Sequence, residues 1–128
     1  MKIFHAAISV ASLKISQTFY EEVFDLTFRV AGERPKQGIK FIMLQDKHGT
    51  TIELFEHIKP KPLTEDLMDF SQIGIKHIAF IVDNLEETFD KAIKNGAKVI
   101  WPIQKGVTVK RLAFVKDPNN IPLELIEE

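Results

Sequence analysis

The residues with the clearest capacity for chemistry are two histidines and two glutamates at matching positions. His77 follows His5 by 72 residues and Glu124 follows Glu53 by 71, so each histidine precedes its glutamate by 48 or 47 residues. All four lie in apolar runs, where an unpaired carboxylate is costly to bury. Imidazole nitrogens and carboxylate oxygens suit Zn, Ni, Co, Mn and Fe(II). The pattern therefore favours a divalent metal site with open positions for water or substrate.

The duplication, and not any single residue, carries this hypothesis. A lone histidine at the start of a strand is usually a surface or hydrogen-bonded residue, and a glutamate in a half-exposed strand is ordinary. Independent surface residues have no reason to recur in register. Of the remaining histidines, His48 falls in a predicted hairpin turn and is expected to be solvated. His57 lies just past the end of a predicted strand and fits either a surface residue or a pocket wall.

The four residues belong to a tandem repeat that covers nearly the whole chain. Residues 5–10 (HAAISV) match 77–82 (HIAFIV), and residues 44–56 match 115–127. Each half reads as a strand, a helix and three further strands, with Ser12 and Asn84 marking the helix starts. We expect an α+β fold of two tandem βαβββ modules related by a pseudo-twofold axis. If the last strand of each module lies beside its first, the two histidines and two glutamates converge on one point.

The element boundaries follow from the apolar pattern and the turn residues. We predict helices over 13–24 and 85–95, and strands over 3–10, 27–30, 40–44, 51–56, 76–82, 98–101, 110–115 and 123–126. Module one spans about 1–58, a connector 59–73 and module two 74–128. We interpret residues 1–128 as one domain, because a module of about 60 residues buries too little surface to be stable alone.

Composition excludes several classes of protein. The 128 residues carry a formal net charge of −1 with basic and acidic residues interspersed, so a nucleic acid partner is not expected. There is no cysteine, which removes thiolate and disulfide chemistry. No run is long and apolar enough for a membrane span, and His5 interrupts the one segment that resembles a signal peptide. We therefore expect a cytoplasmic protein with a small-molecule substrate.

Other motifs carry weaker signals. The six glycines are dispersed and form no phosphate-binding loop. Trp101 and most of the ten phenylalanines are expected in the core, although one or two could line an apolar pocket beside the metal. Lys105 and Gly106 fit either a solvated loop or a contact to an anionic substrate group.

Several segments together resemble the vicinal oxygen chelate superfamily. This superfamily includes glyoxalase I, methylmalonyl-CoA epimerase, extradiol dioxygenases, and the fosfomycin and bleomycin resistance proteins. The segments that carry the resemblance are Phe4-His5, 19–24 (FYEEVF), 49–54 (GTTIEL), 77–83 (HIAFIVD), 113–118 (AFVKDP) and 123–127 (LELIE).

The order His, Glu, His, Glu is most similar to bacterial glyoxalase I. The resemblance implies that His5, Glu53, His77 and Glu124 are metal ligands and that the chain forms a homodimer. It also implies conversion of the hemithioacetal of a 2-oxoaldehyde, such as methylglyoxal, to a 2-hydroxyacyl thioester through a metal-stabilised enediolate. Glu124 would be the catalytic base and Glu53 its catalytic partner.

Departures from glyoxalase I concern the substrate. Ser9 stands where that enzyme has an arginine that binds glutathione, and His57 stands where it has an asparagine. Lys105 and Gly106 match its basic loop. The alternatives are an enzyme similar to methylmalonyl-CoA epimerase and a non-catalytic ligand-binding or resistance protein. The thiol, the metal, the choice of base, and whether one chain or two supply the ligands stay open.

Overall fold

The chain folds into eight strands and two helices, arranged as the same order of five elements twice. The computed structural model describes residues 1–128, which form two compact units, Met1–Pro62 and Leu63–Glu128. The first unit contains β1 (Ala6–Val10), α1 (Leu13–Phe24), β2 (Thr27–Arg34), a 3-10 turn (Pro35–Gln37), β3 (Ile39–Gln45) and β4 (Thr51–His57). The second unit contains β5 (Ile78–Ile81), α2 (Leu85–Lys94), β6 (Lys98–Lys105), β7 (Arg111–Lys116) and β8 (Pro122–Glu127). The prediction of an α+β fold with two tandem βαβββ modules is confirmed.

Each unit builds one four-stranded sheet with the same connectivity. The strand orders are β1-β4-β3-β2 and β5-β8-β7-β6. In both sheets the first and last strands of the module pair in parallel, and the remaining neighbours pair antiparallel. The last strand of each module therefore lies beside its first strand, as the sequence pattern predicts.

One helix covers one face of each sheet. In the first unit, Phe19, Tyr20 and Val23 of α1 are buried, and α1 packs on β3 and β4. In the second unit, Leu85 and Ala92 of α2 are buried, and α2 packs mainly on β8 and β6. Burial of apolar side chains against the helix stabilises each sheet on that face. The opposite face of each sheet is free to carry polar side chains.

The hairpin before the last strand of each module has the same hydrogen bonds. Asp46 Oδ1 accepts from the backbone N–H groups of His48 and Thr50, at 2.9 Å each. Asp117 Oδ1 accepts from those of Asn119 and Ile121, at 2.8 and 2.9 Å. These turns fix the register of the strand that carries each glutamate.

Both helices begin at the residues that the sequence marks. The Ser12 hydroxyl accepts from the Ile15 N–H and the Asn84 side chain from the Glu87 N–H. In the first unit, Glu56 on β4 also accepts from the Leu13 N–H at 2.8 Å, which links the helix start to the sheet.

In the second unit, Arg111 links α2 to the sheet. Arg111 on β7 donates to Glu86 of α2 at 2.6 Å and to Glu127 of β8 at 2.5 Å. The hydrogen bonds to Arg111 hold the pKa of both carboxyl groups below their ordinary value of 4.5.

Strands β2 and β6 are longer than predicted, and the first strands of the modules, β1 and β5, are shorter. The sequence after Val30 has little β propensity, yet β2 continues to Arg34 by pairing with β3. Pro102 argues against a strand, but β6 is an edge strand, where a missing N–H donor is tolerated. Strands β1 and β5 begin only at Ala6 and Ile78.

The connector sequence at 65–70 is compatible with a short helical turn, and the chain forms a hydrogen-bonded turn there, with the Asp69 N–H donating to the Asp66 carbonyl at 3.0 Å. The apolar spacing of α2 predicts a buried face of Phe89, Ala92 and Ile93. That prediction is wrong for Ile93, which is 39% exposed. Neither helix is long and apolar enough to cross a membrane.

The different exposure of Asp46 and Asp117 predicts that the same substitution lowers the free energy of unfolding by different amounts. Asp117 is 2% exposed, whereas Asp46 is more accessible. We expect Asp117→Ala to lower the free energy of unfolding by about 3 kcal/mol and Asp46→Ala by about 1 kcal/mol, because water replaces the lost hydrogen bonds more easily at an exposed turn. Urea unfolding of both variants measures the difference. Equal losses would contradict this account of the turns.

Candidate metal centre

In the first unit, strand pairing places His5 next to Glu53. Strand β1 pairs in parallel with β4, and Ala7 lies opposite Glu53. His5 directly precedes β1, and because side chains alternate along an extended chain, His5 shares the face of Ala7, two residues away. The structure places His5 Nε2 3.3 Å from Glu53 Oε1, with the side chains 28% and 13% exposed. Both groups are thus partly accessible and in contact.

The second unit repeats this arrangement with its own residues. Ala79 on β5 lies opposite Glu124 on β8, and His77 precedes Ala79 by two residues. His77 Nε2 is 3.1 Å from Glu124 Oε2, and the side chains are 30% and 16% exposed. The correspondence in sequence is therefore also a correspondence in register, distance and exposure.

The separation of nitrogen and oxygen in each pair fits two ligands of one ion. Ligand atoms about 2.1 Å from a metal are about 3.0 Å apart at a right angle and about 3.4 Å apart at the tetrahedral angle. The observed 3.3 and 3.1 Å lie within this interval. The donor atoms are those that divalent transition metals accept.

Each histidine also has one ring nitrogen without a partner. Nδ1 of His5 and Nδ1 of His77 are buried and make no hydrogen bond. Unpaired buried polar atoms are rare in folded proteins, and each calls for an explanation such as an ion, a water molecule or a catalytic role. The same ring nitrogen is unpaired in both units, so the two histidines are equivalent in this respect as well.

The structure brings the four predicted ligands together as two pairs. Within the chain, no group of three or more His, Asp or Glu side chains is arranged so that it could hold a metal ion. A centre that uses all four residues stays a prediction, as does the identity of the metal.

Apolar residues surround each glutamate across its sheet. Around Glu124, the cross-strand row reads Trp101, Phe114, Glu124, Ala79. Around Glu53, the equivalent row reads Val30, Met43, Glu53, Ala7. Neither row holds a second charged residue.

The sequence pattern did not identify Phe114 as a site residue and assigned Trp101 by default to the core. Trp101 is 38% exposed on the face that carries Glu124. The repeat could have identified Phe114, because in both units the residue ten positions before the glutamate pairs with it, Met43 with Glu53 and Phe114 with Glu124.

The predicted substrate-binding residues lie in different places. Ser9 is exposed on β1, on the face of His5 and Ala7, and pairs with Phe55. His57 ends β4, and its Nδ1 accepts from the Lys59 N–H at 3.0 Å. Its Nε2 would lie 3.1 Å from a Cβ atom at position 38, so Gly38 leaves the imidazole room.

In the second unit, Lys105 ends β6 and Gly106 begins the turn to β7. Lys105 is exposed, and the Gly106 N–H donates to the Lys110 carbonyl at 3.0 Å. A Cβ atom at Gly106 would lie 2.4 Å from the Val109 carbonyl oxygen, so the tight turn requires glycine. His48 is exposed in the β3–β4 turn, as expected.

Comparison with known proteins gives consistent results. A family model described as Glyoxalase/Bleomycin resistance protein/Dioxygenase superfamily matches residues 2–125. The chain is 31% identical over 136 residues to a lactoylglutathione lyase of Escherichia coli O157:H7, covering 100% of this chain and 93% of that protein.

Solved structures share the fold. A glyoxylase/bleomycin resistance protein/dioxygenase domain from Frankia sp. EAN1pec superposes with a TM-score of 0.81 at 25% identity, covering 99% of this chain and 91% of that one. Glyoxalase I from Zea mays gives a TM-score of 0.80 at 19% identity, covering 99% of this chain and 44% of that one.

The paired geometry predicts which histidines hold metal. We expect His5→Ala and His77→Ala each to weaken zinc binding at least 10- to 100-fold, the loss seen when even a ligand-orienting partner is removed. His48→Ala is the matched control and should bind zinc as the wild type does. Competition with a chromophoric chelator gives the affinities. Unchanged zinc affinity in either of the first two variants would remove that histidine from the centre.

Proposed function

The chain belongs to the Glyoxalase/Bleomycin resistance protein/Dioxygenase superfamily, and we propose that it is a metal-dependent lyase or isomerase of glyoxalase I type. Its substrate would be the hemithioacetal of a 2-oxoaldehyde such as methylglyoxal, and its product a 2-hydroxyacyl thioester. The similarity to a lactoylglutathione lyase over the whole chain supports this choice.

One structural observation carries the proposal. The two His–Glu pairs, His5 with Glu53 and His77 with Glu124, have the same register and nearly the same separation in both units. Two carboxylates beside two histidines provide both metal ligands and a proton acceptor, which supports an enzyme rather than a binding module without turnover.

The reaction is an internal proton transfer. The carbon that bears the hydroxyl and the thiol sulfur loses its proton, and the neighbouring carbonyl carbon receives one, so the redox change stays within the substrate. A divalent ion, when bound, supplies positive charge beside the two adjacent substrate oxygens and stabilises the enediolate.

Glu124 is the proposed base and Glu53 its partner. Glu124 lies between Phe114 and Ala79 in its row, so no neighbouring cation in that row competes for the carboxylate. It takes the proton from one carbon and returns it at the next. Glu53 occupies the equivalent place in the first unit and completes the ligand set.

The thiol is proposed to be other than glutathione, or glutathione held differently. Exposed Ser9 has no charge to bind a thiol carboxylate on the face of His5. His57 Nδ1 is already engaged by a backbone donor. Lys105 is the exposed cation among the predicted contacts. We further propose a cytoplasmic homodimer with one ion for each set of four ligands.

Replacement of the base tests the reaction directly. We expect Glu124→Gln to lower kcat 10²- to 10⁴-fold with the methylglyoxal hemithioacetal of glutathione, because the amide cannot accept the proton. Thioester absorbance on the zinc- or nickel-loaded protein gives the rate, and Glu22→Gln on α1 is the control. Zinc binding without turnover in the wild type would instead favour epimerisation of an acyl thioester.

Substitution at Ser9 tests the assignment of the thiol site. We expect Ser9→Arg to lower KM for the glutathione hemithioacetal several-fold with kcat unchanged, because a guanidinium there can pair with a substrate carboxylate. Ser9→Ala should leave KM unchanged. An equal KM in Ser9→Arg and the wild type would show that the thiol does not extend along β1.

A further inference from the structure

The cross-strand rows of Glu53 and Glu124 differ in the type of apolar residue at equivalent places. Val30 and Trp101 occupy equivalent places, each following a register shift in its edge strand, and so do Met43 and Phe114. On this side of each glutamate, the cross-strand residues are therefore aliphatic for Glu53 and aromatic for Glu124. The first unit has its aromatic rings at other places, with Phe4 4.9 Å from His5 and Phe41 6.2 Å from Phe55 between ring centroids. Fold requirements alone do not explain this, because the first unit builds the same sheet without aromatic residues at these places.

The aromatic residues of the second unit form a continuous line beside Glu124. The ring centroids of His77 and Phe114 are 5.0 Å apart, and those of Phe114 and Trp101 are 4.7 Å apart, both edge-to-face. Phe70 of the connector lies 6.3 Å from Trp101, with the rings perpendicular. The line thus runs from a proposed metal ligand outward along one sheet.

The outer part of this line is accessible. Phe114 is 4% exposed beneath its neighbours, but Trp101 is 38% and Phe70 58% exposed. Aromatic rings prefer other flat rings in edge-to-face or offset contact. An accessible aromatic surface that begins at a metal ligand suits a flat apolar group attached next to the atoms that contact the metal.

We propose that Trp101, Phe114 and Phe70 form a specificity surface for an aryl or similarly flat apolar substituent on the carbon next to the substrate's vicinal oxygens. The inference rests on the proposed function and narrows its substrate class. The chain would then favour an aryl-substituted 2-oxoaldehyde, such as phenylglyoxal, over methylglyoxal.

Two small molecules that differ in one group distinguish the contribution of this surface to binding from the contribution of the metal. Benzohydroxamate and acetohydroxamate present the same two adjacent oxygens to zinc and differ only in a phenyl or methyl group. Calorimetry on the zinc-loaded protein gives both affinities without turnover. Trp101 is the sole tryptophan, so its fluorescence reports whether the phenyl group binds beside it.

We expect benzohydroxamate to bind the wild type about tenfold more tightly than acetohydroxamate. In Trp101→Val, which copies the residue of the first unit, the ratio should fall below about threefold. Phe70→Ala, a substitution at an exposed position, should lower it less. Ile15→Ala, at a 60% exposed position of α1 outside both rows, is the control and should keep both the ratio and the fluorescence change. Circular dichroism checks that each variant is folded.

The outcomes distinguish this inference from the proposed function. Zinc binding with an unchanged ratio in folded Trp101→Val and Phe70→Ala, or tight benzohydroxamate binding that leaves Trp101 fluorescence unaltered, overturns the inference alone. A wild-type chain that takes up no zinc and binds neither hydroxamate contradicts the proposed function, and the inference fails with it.

Discussion

The parallel pairing of the first and last strands in each unit is the constraint on which the rest of the site depends. It sets Ala7 opposite Glu53 and Ala79 opposite Glu124, and strand alternation then fixes each histidine beside its glutamate. A slip of one residue would turn the glutamate to the helix side of the sheet. The hydrogen bonds to Asp46 and Asp117 in the preceding hairpins oppose such a slip, because they fix where β4 and β8 begin. The chemistry proposed for the pairs is therefore a consequence of register.

The duplicated architecture also explains how one scaffold can combine two nearly identical His–Glu pairs with different surroundings. The pairs are equivalent, but Val30 and Met43 lie in the row of Glu53 where Trp101 and Phe114 lie in the row of Glu124. If the pairs hold an ion, as proposed, the ion constrains the geometry of the four side chains. The other residues of each row would contact only what lies beside the ion, so they can differ between the units. This difference in surroundings supports the different roles proposed for the two carboxylates.

Much of the fold could be predicted from sequence because the repeat supplies each element twice. The bounds of α1 and the starts of both helices were predicted correctly, since Ser12 and Asn84 have few alternatives as caps. The lengths of β2 and β6 were not, because pairing with β3 and β7 extends both strands through residues of low β propensity, including Pro102. The apolar spacing of α2 predicts that Ile93 is buried, but the spacing does not show how narrow the face of this short helix is that contacts the sheet. The proximity of His and Glu in each module could be predicted from their spacing. The exposed position of Trp101 could not, because it depends on a register shift in β6 that no sequence pattern indicates.

Anomalous diffraction at the zinc edge from crystals of the zinc-loaded protein tests the central claim most directly. We predict one anomalous peak for each chain, about 2.1 Å from the two imidazole nitrogens and the two carboxylate oxygens of His5, Glu53, His77 and Glu124. The same map shows whether one chain or two supply these ligands. A peak that contacts only one His–Glu pair, or zinc bound solely at other residues, would contradict the claim.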